Sequence, residues 1–432
     1  MKLANIFKTG FFFLIMAFIA LPAFQGRFDL FSSKPLTGVF ESAVRPVFRF
    51  SGWWKGDYQE NYRSWLEENI GFRTDLVRLF NQADFSLFAI SHANKIIAGK
   101  ENWLFGEQYI RAWTGDDFAG KSYIDRKVWQ MKYVQDKLWK DKGIYLMVIF
   151  TPDKGNFYPE YIPKRFTVKK KSITNDSYFI KKYAEAGINF IDFSHWFIKM
   201  KDTSRFPLYP KLGIHWSSYG ALLAADSLIR YLEARLNIKL AHIIIDSIEV
   251  STVMKDEEND ISKTMNLIWD ISSPPMAYPH FHFISDSSCP KPNVLFIGDS
   301  FYWNWYYPGI IRNLFANEAF WYYDKEVYPE SNTTSLKTGQ LDFFESIAQQ
   351  KVIIIMQTNA GYGDPGSSFP DRAFSYLYPG PSRIKYYMDQ IRNNPGWLEA
   401  VRKKAENQKF LLDAMIRIDA IFLANQELKN KK

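Results

Sequence analysis

A chain of 432 residues, 47% apolar and 23% charged, has ordinary globular composition and room for one large domain with appendages or for two, which excludes disorder as the default. Lysine and arginine exceed aspartate and glutamate by 54 to 46, a balance that favours acidic partners, but no nucleic-acid motif accompanies it. The lone Cys289 excludes an internal disulfide and a cysteine-rich metal site.

The first feature along the chain is Gly10 to Leu21, an uncharged stretch behind Lys2 and Lys8 that reads as the apolar core of an export segment. It is shorter than the ~20 residues of a comfortable membrane span. Because Leu21-Pro22-Ala23-Phe24 makes a poor cleavage site, residues 1–28 read as an anchor in preference to a cleaved signal peptide. Residues 29–55 follow as a Pro-, Ser- and Gly-containing linker, then a helical region over Gly56–Asn81 broken near Gly71. A hairpin is expected where Asn94–Ala98 and Asn102–Phe105 flank Gly99-Lys100-Glu101.

Helix and strand then alternate. Ile124–Lys142 carries Val128, Met131, Val134 and Leu138 on one side and stops at Gly143; Ile144–Phe150 is a strand apolar on both faces. A helix over 174–186 leads to a short strand at Ile188–Ile191, and Ser217 or Ser218 caps an Ala-rich helix. Residues 238–290 read as an insertion, with a strand or two near Ile243–Val250. Strong strands return at Val294–Ile297 and Lys351–Met356. Strands separated by helices predict a three-layer α/β/α sandwich around a mostly parallel sheet over 56–380, whose ligands bind beyond the carboxyl ends of the strands. Residues 381–432 form C-terminal helices, the last with Leu411, Met415, Ile418 and Phe422 on one side.

Chemistry concentrates at strand exits. The run Asn293–Ile297 stops abruptly at Gly298-Asp299-Ser300, a place where a serine hydroxyl can project. Gly213-Ile214-His215-Trp216-Ser217 offers a histidine at the entry to a helix, within the logic of a serine and its general base. An oxyanion also needs preorganised donors: the backbone N–H groups of Ser300 and Phe301 and the Asn359 amide are the candidates, with Asp299 and Thr358 in support. Lys154, Trp216 and Tyr302 are candidate substrate contacts. His92, His195, His242, His280 and His282 read as ordinary surface or core histidines, and no carboxylate motif completes the His280/His282 pair, so neither metal nor cofactor is expected.

Val294–Ser300, with a histidine before an Ala-rich helix, resembles the SGNH-hydrolase-like domain of alginate and exopolysaccharide O-acetyltransferases, in the permuted order where histidine precedes serine. Glu67–Arg73, Gly99–Phe105 and Pro152-Asp153-Lys154 followed by Tyr158-Pro159-Glu160 extend the resemblance over roughly 56–360. It implies a periplasmic enzyme, held at the inner membrane by its N-terminal segment, that passes acetyl groups through Ser300 to an exported polysaccharide with His215 as base. It also implies a membrane-bound O-acyltransferase partner as acetyl source. No carbohydrate-binding module follows the α/β region here. The family's aspartate two residues before the histidine is Gly213 in this chain, which leaves Asp192, Asp153, Asp226 or a backbone carbonyl as orienting group, or else a catalytically weak site. The usual acidic/Arg signature after the last strand is replaced by Gln357–Tyr362. A polysaccharide acetylesterase would use the same residues. A non-catalytic glycan-binding or scaffold subunit would instead rest on the basic residues Lys164, Arg165, Lys169, Lys170, Lys171, Lys181 and Lys182 and on the 18% aromatic content.

Overall fold

The computed structural model describes residues 2–38, 43–168, 173–285, 289–329 and 336–430. They divide into two units, Met1–Leu104 with Asn259–Ser272, and Phe105–Glu258 with Ser273–Lys432.

The first unit is helical. Its N-terminal helix runs from Lys2 to Phe28, and Ile6–Phe28 is, among the described residues, the one helix long and apolar enough to cross a membrane. The sequence placed the apolar stretch at Gly10–Leu21; the helix extends it because Pro22 is accommodated inside. At that point the Gly71 N–H donates to the Pro22 carbonyl at 3.2 Å, and a side chain on Gly71 would collide with Pro22 and Gly26. Gly71 also separates the helices Asp57–Asn69 and Arg73–Phe88, the expected break. Within the same unit, Asn81 donates to the Met265 carbonyl at 2.9 Å, fastening the 259–272 segment to the second of these helices.

β1 (Ile96–Ala98) and β2 (Leu104–Gly106) form the short hairpin. The second unit is built on a six-stranded sheet of β3 (Tyr145–Thr151), β4 (Phe190–Asp192), β7 (Val294–Gly298), β8 (Ala319–Tyr322), β9 (Glu326–Tyr328) and β10 (Val352–Thr358), in the order β4-β3-β10-β7-β8-β9. All pairs are parallel except β8 with β9. Every residue of β3, β7 and β10 is buried, as a sheet covered on both faces requires. Alternate residues serve opposite layers. Met147, Ile149, Phe296, Ile354 and Met356 pack towards the helix Ser218–Leu236; Leu146, Val148, Leu295, Ile297 and Ile353 pack towards Lys121–Lys142 and Phe369–Leu377. The α/β/α sandwich is therefore present.

Between the layers' elements, β5 (His242–Ser251) and β6 (Met276–Ile284) form a separate antiparallel arm where the sequence indicated an insertion. The C-terminal helix read from Pro395 onward is two helices, Pro395–Gln408 and Leu412–Asn430, because Lys409 turns into left-handed backbone at φ +57°. The break rotates the apolar stripe. Met415, Ile416, Ala420 and Ala424 are buried, while Leu411 and Phe422 are exposed. Of the basic stretch, Lys169, Lys170 and Lys171 lie outside the described residues; Lys182 pairs with Glu185 at 2.7 Å on the helix Asn175–Ala186.

Gly298, the last residue of β7, lies so close to β10 that a Cβ there would overlap the Met356 carbonyl oxygen. Replacing Gly298 with alanine must push two core strands apart, at a cost on the order of 3 kcal/mol. A fall in the urea midpoint of the purified Gly298→Ala chain measures it; an unchanged midpoint would show that the strands separate freely.

Candidate active site

Parallel register brings three strand ends side by side: Thr358 of β10 is in register with Thr151 of β3, and Met356 with Gly298 of β7. After Gly298, Asp299 stays extended and the chain enters a 3-10 turn, Ser300–Tyr302, that continues directly into the helix Trp303–Tyr306. The Asp299 carboxylate fixes this exit. One oxygen accepts the Phe301 N–H at 3.1 Å, and the other accepts the Thr358 N–H at 2.8 Å and its hydroxyl at 2.9 Å. Burial pushes the Asp299 carboxyl upward, against the pull of those donors and of the nearby His215.

The histidine arrives from the other side. Ser217 caps the helix Ser218–Leu236 by accepting the Gly220 N–H at 3.0 Å, and its own hydroxyl donates to the Pro207 carbonyl at 2.8 Å, pinning the loop that carries His215. His215 Nε2 lies 2.8 Å from Ser300 Oγ. The Phe301 ring stands edge-on to the imidazole with centroids 4.9 Å apart, so the residue after the serine also supports the histidine.

At the end of β10, Asn359 is 1% exposed, and neither atom of its amide has a hydrogen-bond partner among the described residues. The Thr151 hydroxyl and one Asp153 oxygen, at the end of β3, are also buried without such a partner. Buried polar atoms of this kind are free to meet a bound group, though others of the same kind, such as Gln130 Oε1 and Ser273 Oγ, lie elsewhere. Asp153 is pushed up to about 7 by burial.

Several sequence expectations are redirected. The Phe301 N–H is already committed to Asp299 and is not a spare oxyanion donor. Trp216 and Tyr302 are fully buried, stacked respectively against Trp305 at 5.3 Å and Phe320 at 4.0 Å, so they are core supports of the site. Lys154 is 1% exposed; its ammonium donates to the Lys211 carbonyl at 3.1 Å and ties the end of β3 to the His215 loop. Asp192 accepts from His195 at the start of its own helix, Asp226 pairs with Arg230 on an exposed helix face, and Asp153 caps the helix Lys154–Phe157. His92, His242, His280 and His282 each pair with a carboxylate.

What stands against Gly213 is main chain. A Cβ on Gly213 would meet the Glu258 carbonyl oxygen at 2.7 Å and its carbon at 2.8 Å. The Glu258 carboxylate accepts the Ser218 N–H at 2.9 Å and the Tyr278 hydroxyl at 2.8 Å, and burial raises it to about 7. Glu258 thus holds the N-terminus of the helix that follows His215. Nothing in the local sequence around Lys255-Asp256-Glu257-Glu258 distinguishes it from a solvated acidic run. Placing the family's aspartate at this position by Gly213→Asp is therefore expected to displace Glu258 and lower both thermal stability and Ser300 reactivity, with the unfolding temperature and the rate of serine acylation as readouts. A gain in acylation rate would show that the space opens.

Residues 96–320 match the model of the family described as SGNH hydrolase-like domain, acetyltransferase AlgX. That span contains His215 and Ser300; Thr358 and Asn359 lie beyond it. No curated protein matches the sequence. Among solved structures, the chain is similar to the O-acetyltransferase domain of Pseudomonas putida AlgJ, at 15% identity, 62% of this chain, 92% of that chain and a TM-score of 0.41. It is also similar to Pseudomonas aeruginosa AlgX (17% identity, 64% and 67% covered, TM-score 0.42) and Bacillus cereus PatB1 (12%, 62% and 96%, 0.38). With just over half of its length matched by the family model, the chain belongs to the SGNH hydrolase-like acetyltransferases of the AlgX family.

Proposed function

We propose that the protein transfers acetyl groups to hydroxyls of an exported polysaccharide through an acetyl-Ser300 intermediate. The observation that carries this reading is the 2.8 Å approach of His215 Nε2 to Ser300 Oγ at the mouth of a parallel sheet. A neutral imidazole protonated on Nδ1 accepts the serine proton as Oγ attacks the donor's acetyl carbonyl. The Asn359 amide is the donor for the developing oxyanion, and the buried Asp299 carboxylate favours the imidazolium that forms beside it. Collapse breaks the bond to the leaving group, which takes the proton from His215 and leaves acetyl-serine. His215 then removes the proton of a sugar hydroxyl as its oxygen attacks the acetyl carbonyl; the bond to Oγ breaks and the imidazolium returns that proton to Oγ, restoring Ser300.

The apolar helix Ile6–Phe28 fits a periplasmic protein held at the inner membrane, where a membrane-bound O-acyltransferase would supply acetyl groups. Water competes with sugar for the same acyl-serine, so acetylated glycan rather than free acetate distinguishes the transferase from an esterase. The test is fluorophosphonate labelling of wild type, Ser300→Ala and Asn359→Ala. Labelling is expected to vanish in Ser300→Ala, and acetyl turnover to fall about 10²-fold in Asn359→Ala. Equal labelling of wild type and Ser300→Ala would remove Ser300 from the role.

A further inference from the structure

A cavity of about 400 Å³ is walled by residues that begin three positions after the serine and three after the histidine, Trp303 and Ser218. One wall continues from Ser300. The 3-10 turn runs on into Trp303 and Asn304, one helical turn later, and Tyr307 follows at the end of the same helix. The other wall begins at Ser218, three residues after His215, and is completed by Asp256 and Glu257. The volume falls within the ~300–1,000 Å³ of small-molecule sites.

The chemistry of the two walls is complementary to a sugar. Trp303 and Tyr307 stack with centroids 5.6 Å apart and planes 29° apart, and Tyr307 is 68% exposed, so the Tyr307 ring, backed by Trp303, offers a flat apolar face on which the C–H side of a pyranose can rest. Opposite them, Asp256 is held by the Ser218 hydroxyl at 3.1 Å, and Asp256 and Glu257 are both exposed in left-handed backbone at φ +49° and +65°. Carboxylates are pure acceptors and suit adjacent sugar hydroxyls, while the Asn304 amide adds a donor.

The same wall decides against one class of glycan. Among the described residues no lysine or arginine lines the cavity; the adjacent Lys255 is turned to Glu249 at 2.5 Å. A uronate residue here would bring its carboxylate against Asp256 and Glu257 with no cation to offset the repulsion. We infer that this groove is the acceptor subsite of the proposed transfer and that it takes an uncharged hexose chain, not a polyuronate. The inference rests on Ser300 being the acetyl carrier only for its place in the reaction; the binding itself does not.

The full-length Ser300→Ala chain in detergent, titrated by isothermal calorimetry, separates the two. The probes are gluco-, manno- and galacto-hexaoses against a hexamannuronate. At least one neutral hexaose should bind, with the hexamannuronate about tenfold weaker and Tyr307→Ala weakening the neutral ligand about fivefold or more. In the Ser300-containing enzyme, Tyr307→Ala should raise the KM for that acceptor and leave hydrolysis of p-nitrophenyl acetate unchanged. Binding by none of the neutral hexaoses, equal or tighter binding of the uronate, or an unchanged affinity in Tyr307→Ala each overturns the inference. Labelling that depends on Ser300, with no glycan binding, would sink the groove alone; neutral-glycan binding with Ser300 unlabelled would sink only the acetyl-carrier reading.

Discussion

The parallel pairing of β10 between β3 and β7 is the constraint from which the rest of the site follows. Evenly spaced parallel hydrogen bonds align the strand ends, so whatever follows Thr151, Gly298 and Thr358 is delivered to one rim. β7 lies so close to β10 at position 298 that only glycine fits there, and Asp299 reaches across to the Thr358 N–H and hydroxyl. That buried carboxylate ties the serine's turn to the strand that presents Asn359. Its charge also lies near His215, so one side chain sets both the geometry and the electrostatics of the rim.

Around this rim the aromatic side chains act as spacers. Phe301 touches the His215 ring and Trp216; Trp216 in turn packs on Trp305, whose indole N–H donates to the Ala221 carbonyl at 2.8 Å. The helix after the serine and the helix after the histidine are therefore joined by a packed aromatic layer, which holds Oγ and Nε2 within hydrogen-bond reach. Much of the high aromatic content is structural in this sense. Among the exposed aromatic residues, Tyr307, with the partly exposed Trp303, lines a cavity.

Where an aspartate two residues before the histidine would stand, this chain has substituted backbone for side chain. Gly213 leaves room for the main chain of Glu258, and the Glu258 carboxylate holds the helix that follows. The histidine loop is thus braced by a residue 43 positions from the histidine in sequence rather than two.

The alternating apolar runs of β3, β7 and β10, the Gly143 stop, the Gly71 break and the serine and histidine at helix entries were legible in the sequence, because each is a local pattern of burial, backbone conformation or capping. So was the family resemblance. The short strands β8 and β9, the break at Lys409 and the roles of Glu258, Phe301, Trp216 and Lys154 were not. Ala319–Tyr322 and Glu326–Tyr328 are too short to carry a periodicity of their own, and a buried lysine or glutamate reads like a solvated one until the fold supplies its acceptor or donor. By itself the sequence determined which groups can do acyl chemistry and at which strand ends they emerge. Tertiary structure alone decided that Ser300 and His215 meet at 2.8 Å, that Asp299 is spent on Thr358 and Phe301, and that Asn359 stays unpaired, since each depends on contacts between segments far apart in the chain.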